Sequence, residues 1–321
     1  MLFHYSIYFF KFFFDKNMFR FLYLSFFFVS TLCFSQQLPL HNQYIYNPII
    51  INPAFAGVTG NSTICLSNRS QWIGFSDGIK TLSLSSNYAL TETQGVGGHL
   101  FQDNTGAITI TGLELDYSFK FPFFSDYSIS LGLGLIPYQY LYNGEEVTGN
   151  IPDPTLDVSE KKTSFDANFG VFIYNDFLFG GFSVLNLIQS SVIPSLDDDQ
   201  PNQLVRHYYA LAGYNYFNET SKMGIEQTVL MRSTSYSGVQ FDFNIKTSFN
   251  DLFWVVCGYR TNREFLAGFG IKYGRFGFIY NIDIPQGDTE QYFGSSHEFG
   301  IVFYLNKKQE SFDWIKNLSL Q

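Results

Sequence analysis

VQFDFNIK, residues Val239–Lys246, alternates apolar and polar side chains one by one. Successive side chains of a β-strand point to opposite faces, so this pattern predicts a strand with one apolar and one polar face. LELDYSFK, residues Leu113–Lys120, repeats the pattern, and so does Arg275–Asp283, where Ile279 is the exception. We therefore expect a protein built mainly from such two-faced strands.

The composition of the chain indicates which medium the apolar faces meet. Among 321 residues, Phe (38) and Tyr (22) are abundant, whereas charged residues make up 15%, well below the roughly 25% of a soluble domain. Beyond the N-terminus, no apolar run reaches the roughly 20 residues that a membrane-spanning helix needs. Apolar residues spread over short alternating segments instead favour a transmembrane β-barrel over a soluble β-sandwich.

Fourteen candidate strands can be placed along the chain, an even number, as in bacterial single-chain barrels. They lie near 62–69, 80–90, 95–102, 107–120, 127–138, 163–174, 177–188, 205–217, 221–232, 238–249, 252–260, 264–273, 275–283 and 296–306. Connections after even-numbered strands are short, and the long ones (141–162, 189–204 and 284–295) follow odd-numbered strands. This sorting predicts an all-β fold: an antiparallel transmembrane barrel over 62–306, with periplasmic termini and long extracellular loops.

The first 35 residues have the pattern of an export signal. From Met18, the basic Arg20 is followed by an apolar stretch and then by the small residue Ser35 at a cleavage point. We predict a signal peptide over 1–35, with Met18 as an alternative start. A retained membrane anchor and a lipoprotein modified at Cys33 are the competing interpretations.

Two further segments lie outside the predicted strands. Segment 36–61 contains two Asn-Pro pairs, Asn47-Pro48 and Asn52-Pro53, so it is expected to be extended or turning. Two interpretations stay open for it. The Asn-Pro pairs can simply form turns ahead of the first strand, or Gln43–Gly57 can enter the barrel as a plug or dock a partner. Residues 307–321 form a C-terminal tail.

Charge and cysteine content exclude several classes of protein. Residues 1–35 hold three of the 19 basic and one of the 28 acidic residues, which leaves the mature chain a net charge of −11. An acidic chain without a basic cluster repels phosphate backbones, so no nucleic-acid partner is expected. Cys65 and Cys257 lie far apart without CxxC or Cys/His spacing, which predicts neither a zinc site nor a disulfide framework.

The sequence gives no support for catalysis. HExxH and Walker patterns do not occur, and none of the four histidines of the mature chain stands in a recognisable catalytic context. The acidic run Asp197–Asp199 is interpreted as a solvated loop rather than a hard-cation site, because its neighbours lack ligand spacing. We therefore predict no enzyme activity, no cofactor and no metal site.

One block of sequence near the N-terminus resembles a known family. It consists of Gln43–Gly57 (QYIYNPIIINPAFAG), Asn68–Gly74 (NRSQWIG) and Lys80–Leu90 (KTLSLSSNYAL). In order, these segments are similar to the N-P, N-P-A-[FY]-A-G, R-x-Q-W-x-G and K-T motifs of the PorP/SprF family, outer-membrane components of the type IX secretion system of Bacteroidetes. The resemblance continues through Gly95–Thr111 and Gly294–Gly300 and covers nearly the whole mature chain.

The resemblance implies an outer-membrane protein that supports secretion or surface attachment of a large adhesin, such as a gliding-motility adhesin. The implied partners are the C-terminal sorting domain of that adhesin, other type IX secretion components and outer-membrane lipid. The motif positions that become candidates for partner binding are Gln43, Tyr44, Asn47, Pro48, Asn52, Pro53, Gly57, Arg69, Gln71, Trp72, Gly74 and Lys80. The alternative function is a passive outer-membrane channel for small solutes or lipids.

Two of these positions have competing interpretations. Arg69 shares its strand face with Thr63 and Ser67, so it is expected to point into the lumen, where structural pairing is favoured over ligand binding. Trp72 follows the first strand, where it can belong to the interfacial aromatic girdle or contact an exported protein. The long loops 141–162, 189–204 and 284–295 are further candidate contacts for that exported protein.

Overall fold

A computed structural model describes residues 42–60, 62–75, 78–124, 126–144, 159–193, 202–250, 252–287 and 292–305. The predicted signal peptide, its alternative start at Met18, Cys33, residues 36–41, Asp197–Asp199 and the tail 307–321 lie outside these ranges.

Within the described residues, fourteen antiparallel strands close into a barrel, in which each strand pairs with its neighbours along the chain and β1 pairs with β16. The barrel strands are β1 Thr63–Ser70, β2 Lys80–Ala89, β3 Gln94–Thr105, β4 Ile108–Phe123, β5 Tyr127–Tyr142, β6 Glu160–Tyr174, β7 Leu178–Leu185, β10 His207–Asn218, β11 Met223–Thr234, β12 Gln240–Phe249, β13 Phe253–Arg260, β14 Glu264–Tyr273, β15 Phe276–Pro285 and β16 Ser296–Tyr304. The predicted fourteen-strand antiparallel barrel is confirmed.

Two short strands were not predicted. β8 (Ser191–Ile193) and β9 (Asn202–Gln203) form a separate two-stranded sheet inside the connection between β7 and β10. Strands of two or three residues are too short to show alternation, so the sequence pattern could not reveal them.

The connections divide the barrel into two ends. We call the end with the connections β1–β2, β3–β4, β5–β6, β7–β10, β11–β12, β13–β14 and β15–β16 the long-loop end, and the opposite end the short-turn end. The backbone N–H of Leu305 donates to the carbonyl of Ser62 at 2.9 Å. The barrel therefore begins and ends at the short-turn end.

The two faces of the strands divide as the alternation predicted. On β12, Phe243 and Ile245 are exposed on the outer wall, whereas Asp242, Asn244 and Lys246 are buried in the lumen. The outer wall is thus apolar and the inner wall largely polar, the reverse of a soluble barrel. Among the described residues, no helix has the length and apolarity that crossing a membrane requires.

The main apolar core of the molecule lies inside the lumen. It forms around residues 42–60, which we call the lumenal segment, and includes Ile49 and Phe55 packed with Phe172 and Leu230 of the wall. Within this segment the chain makes three short 3-10 helices, Gln43–Ile45, Pro48–Ile50 and Pro53–Phe55. Each Asn-Pro pair starts one of the last two, because a proline at the first helical position has no N–H to leave unpaired.

Candidate functional site

The lumenal segment runs through the barrel from the long-loop end to the short-turn end. At its start, Asn42 bonds to side chains near the long-loop ends of β15 and β16. At its other end, the N–H of Gly57 donates to Asn87 Oδ1 at 2.5 Å, and Lys120 Nζ donates to the Gly57 carbonyl at 2.9 Å. Asn87 and Lys120 lie near the short-turn ends of β2 and β4, so the segment crosses most of the height of the barrel.

On β3, β5 and β6, the inner wall carries glycines where the lumenal segment approaches most closely. A Cβ atom at any of them would overlap an atom of the segment; the pairs are Gly95 with Ala56, Gly97 with Ile49, Gly132 with Ala54 and Gly170 with Asn52. Gly57 itself has a φ of +64°, and a Cβ there would lie 2.6 Å from the Cα of Gly95. This side of the wall is therefore shaped to the segment by the omission of side chains.

Serine hydroxyls of the same side complete the hydrogen bonding of the segment. Short 3-10 turns leave several carbonyls without an internal partner, and a buried carbonyl needs one. The wall donates Ser183 Oγ to the Ile51 carbonyl (2.5 Å), Ser130 Oγ to the Ala54 carbonyl (2.7 Å) and Ser118 Oγ to the Ala56 carbonyl (2.6 Å). We call this side, β3 to β7, the fitted wall.

The asparagines of the two Asn-Pro pairs tether the segment as well as starting its turns. Asn52 Oδ1 accepts the N–H of Ala54 at 2.9 Å, while its Nδ2 donates to the carbonyl of Val171 at 3.1 Å. Asn47 Nδ2 donates to Ser85 Oγ on β2 at 2.6 Å. The turn-forming interpretation and a position in the lumen are thus compatible for this motif.

The opposite side of the lumen is held by charge. β1 and β11 to β16 carry the charged cluster, which consists of Arg69, Arg232, Asp242, Arg260, Glu264, Asp283 and Glu298. Arg69 pairs with Asp283 at 2.5 Å and with Glu298 at 3.2 Å, so it points into the lumen and pairs there, as the sequence predicted. Removing one member of such a buried network leaves its partners as uncompensated charges.

Asn42 joins the lumenal segment to this charged cluster. Its Nδ2 donates to Asp283 Oδ1 at 2.8 Å, its backbone N–H donates to Glu298 Oε2 at 2.9 Å, and its Oδ1 accepts from Arg260 Nη2 at 2.9 Å. The neutral side chain of Asn42 thereby bonds to an anionic group, Asp283, and to a cationic group, Arg260. Neither Asn42 nor the fitted-wall glycines and serines were singled out in the sequence.

Two tyrosines of the segment extend the same contact. Tyr44 Oη accepts from Asn244 Nδ2 at 2.7 Å and donates to Asp242 Oδ2 at 3.3 Å. Tyr46 Oη donates to Asn281 Oδ1 at 3.2 Å.

A small cavity remains between the lumenal segment and the wall. It has a volume of about 40 Å³ and is lined by residues that include Ile50, Ile51, His99, Glu114 and Tyr138. Since a single water needs roughly 10–15 Å³, the cavity has room for a few waters but not for a larger solute. Above it, Leu204 of the β7–β10 connection packs in one apolar cluster with Phe101, Ile136 and Tyr138.

The predicted site residues separate into two places. Gln43, Tyr44, Asn47, Pro48, Asn52, Pro53 and Gly57 lie in the lumenal segment, and Arg69 faces them from β1. Gln71, Trp72 and Gly74 lie in the β1–β2 connection at the long-loop end, and Lys80 is exposed at the start of β2. The structure thus brings the first group together and leaves the second outside the lumen.

Trp72 of the second group belongs to a cluster of exposed and half-buried side chains at the rim of the barrel. We call it the rim patch: Trp72, Ile73, Phe75, Tyr292 and Phe293. The Trp72 and Phe293 rings are 5.2 Å apart between centroids, and those of Phe75 and Phe293 are 5.9 Å apart. The patch joins the β1–β2 and β15–β16 connections, next to the seam where the barrel closes.

Metal chemistry has no visible support in the described part of the chain. There, no group of three or more His, Cys, Asp or Glu side chains is arranged to hold a metal ion. Cys65 is buried and Cys257 is exposed, and both are free thiols.

Comparison with solved structures finds other barrels at low similarity. CdiB from Acinetobacter baumannii is 8% identical with a TM-score of 0.36, over 76% of this chain and 60% of that chain. The Ralstonia pickettii toluene transporter TbuX is 10% identical with a TM-score of 0.44, over 81% and 92%. The CymD monoaromatic hydrocarbon channel is 8% identical with a TM-score of 0.45, over 84% and 94%. At these values the likenesses say nothing of function.

Comparison of the sequence with curated proteins finds no match. A family model, described as "Type IX secretion system membrane protein PorP/SprF", matches residues 33–303. That range takes in the lumenal segment and all but the last residue of the closed barrel. This chain therefore belongs to the PorP/SprF family of type IX secretion system membrane proteins, as its motifs indicated, and is an outer-membrane β-barrel.

Proposed function

We propose that this protein is a closed outer-membrane scaffold of the type IX secretion system. In this proposal it supports secretion or surface attachment of a large adhesin by binding the C-terminal sorting domain of that adhesin. The family and the barrel fold point to a secretion-system membrane protein rather than an enzyme. The observation that carries the proposal is the occupied lumen.

An occupied lumen favours a scaffold over a passive pore for small solutes or lipids. The lumenal segment touches the fitted wall on one side and the charged cluster on the other, and it bonds to both. A cavity of about 40 Å³ leaves little room for a solute. A partner would then meet the two ends of the barrel rather than its interior.

The proposal includes an orientation in the membrane. We place the long-loop end outside the cell and the short-turn end in the periplasm, because outer-membrane barrels carry their longer loops outside. A signal peptide over 1–35 would direct export. Loops 141–162, 189–204 and 284–295 would then face the exported adhesin, while other secretion components would approach from either end and lipid would cover the outer wall.

The test is affinity purification of the tagged full-length protein from native outer membranes after crosslinking, followed by mass spectrometry. An unrelated outer-membrane barrel with the same tag is the control. We expect the C-terminal domain of a large exported protein, or other type IX components, to appear with this protein and not with the control. In planar bilayers we expect no sustained conductance. Steady conductance together with an empty crosslinking result would contradict the scaffold and support a channel.

A further inference from the structure

We propose that the rim patch is the docking surface for a protein partner whose contacting face is apolar at its centre and basic around it. This inference rests on the proposed function, since it locates on the barrel the contact that a scaffold needs. It also adds what that function leaves open, namely which residues form the contact and what charge the partner carries.

The rim patch exposes apolar area on connections beyond the ends of β1 and β16. Ile73, Phe75 and Tyr292 are 57%, 45% and 68% exposed. They lie on connections, past the last residue of β1 at Ser70 and before the first residue of β16 at Ser296. Exposed apolar patches mark interaction sites, and Trp and Tyr are enriched among the few residues that contribute most of the binding energy at protein–protein interfaces.

Backbone hydrogen bonds hold the rim patch in one arrangement. The N–H of Ile73 donates to the carbonyl of Ser295 at 3.0 Å, and the N–H of Gly74 donates to the carbonyl of Phe293 at 2.9 Å. A Cβ on Gly74 would lie 3.0 Å from that same carbonyl oxygen, so glycine permits the close pairing. A surface fixed before binding loses less entropy when a partner arrives.

Trp72 adds a local backbone feature to this arrangement. Its φ is +59°, in the left-handed region that a bulky residue rarely adopts. The N–H of Trp72 donates to Ser296 Oγ at 3.2 Å, which helps to hold that conformation. The Trp72 ring lies against Phe293, which contacts both Trp72 and Phe75 and so lies in the middle of the patch.

The charge of the long-loop end determines which partner fits. In sequence, its connections contain ten acidic and two basic residues, whereas the connections of the short-turn end contain five and two. All ten acidic residues lie outside the described ranges, and Asp77, Asp288 and Glu290 belong by sequence to the two connections that carry the patch. Negative charge on these connections attracts a basic protein face and repels anionic lipid headgroups. A second copy of this chain would bring the same negative charge and is disfavoured for the same reason.

The experiment places a photo-crosslinking amino acid at position 73, 292 or 236 of the tagged full-length protein in native outer membranes. Position 236 is the matched control, because Tyr236 is a 60% exposed aromatic residue at the same end, on the β11–β12 connection. We expect one protein adduct shared by positions 73 and 292 and absent at 236. Mass spectrometry of the adduct identifies the partner and the charge of its crosslinked face.

Variants then test the chemistry of the contact. The pair Trp72→Ala with Phe293→Ala should reduce adduct and co-purified partner by about tenfold or more, while Tyr236→Ala should leave both unchanged. Raising the salt from about 0.1 to about 0.5 M should weaken capture several-fold, because screening removes the attraction between acidic and basic faces. Heat stability of the barrel, measured by gel mobility, should match the parent in both variants.

The outcomes separate this inference from the function on which it rests. A partner that co-purifies but crosslinks equally at 236, or through an acidic face, would leave the scaffold standing and overturn the rim patch as its docking surface. Adducts made of lipid or of a second copy of this chain would overturn it as well. Failure to recover any partner with the parent protein would count against both.

Discussion

The two sides of the lumen hold the same peptide by opposite means. On the fitted wall the side chains are small or absent: Gly95 and Gly132 leave space for the segment, and Ser130 donates its hydroxyl to a backbone carbonyl. In the charged cluster the side chains are long: Arg260 and Asp283 extend into the lumen and both hydrogen-bond to Asn42. The difference teaches that added volume should damage the first contact, whereas lost charge should damage the second.

The largest effect should come from the charged cluster. Arg260→Met keeps most of the side-chain volume but removes the cationic partner of Glu264, one of the two arginines that pair with Asp242, and a hydrogen-bond donor to Asn42. We expect a loss of about 3–5 kcal/mol in the free energy of unfolding, because breaking a buried pair leaves uncompensated charge. Unfolding by denaturant in detergent, followed by gel mobility, measures it.

The control for that variant uses an exposed pair. Lys222 lies 2.9 Å from Glu219 on a short turn, where both side chains are more than half exposed. Lys222→Met should change stability little, because solvent screens such pairs. Equal losses in the two variants would show that burial of the charged cluster does not determine its contribution.

A smaller loss in the free energy of unfolding should follow when the lumenal segment loses its side-chain contacts with the charged cluster. Asn42→Ala removes the side-chain hydrogen bonds to Asp283 and Arg260, keeps the backbone N–H bond to Glu298, and leaves the charges paired with one another. Hydrogen bonds to charged groups contribute about 1.5–3 kcal/mol. We expect a loss in that range, measured as above, and smaller than that of Arg260→Met. A larger loss would mean that Asn42 organises the cluster instead of bonding to it.

The fitted wall should respond to added volume. Gly132→Ala places a methyl group against the backbone of Ala54, which has no flexible side chain to move aside. Overpacking of this kind costs about 1–3 kcal/mol. Gly238→Ala is the matched control, since a Cβ there meets nothing within 4 Å. If both variants unfold at the same temperature, the inner glycines do not shape the wall to the lumenal segment.

The smallest effect should come from a single hydroxyl. Ser130→Ala deletes the donor to the Ala54 carbonyl at 2.7 Å and adds no volume. We expect a loss of about 1 kcal/mol, typical of one hydrogen bond. Ser86→Ala, on the exposed face of β2, should show no measurable change. If Ser130→Ala left the free energy of unfolding unchanged, water would be able to replace this donor.

Local sequence patterns predicted the strands of the barrel but not the contacts of the lumenal segment inside it. The strands and their faces follow from alternation between adjacent residues, which is why the prediction over 264–273 agrees with β14 to the residue. The contact of Asn42 with Asp283 joins positions 241 residues apart, and no local pattern reports it. Inward glycines such as Gly95 and Gly97 do interrupt the polar face of β3, a signal that could have indicated a close backbone approach.

The charged cluster also affects how the barrel can assemble. Arg69 and Glu298 stand opposite each other across the seam between β1 and β16, and Glu298 also accepts the N–H of Asn42. Closing the seam and seating the start of the lumenal segment therefore use the same carboxylate, supplied by the last strand. Such distant contacts make folding slow. If β16 paired with β1 one residue out of register, Glu298 would point towards lipid and lose its partners in the lumen. The correct register of the final strand is therefore favoured by the contacts of this carboxylate.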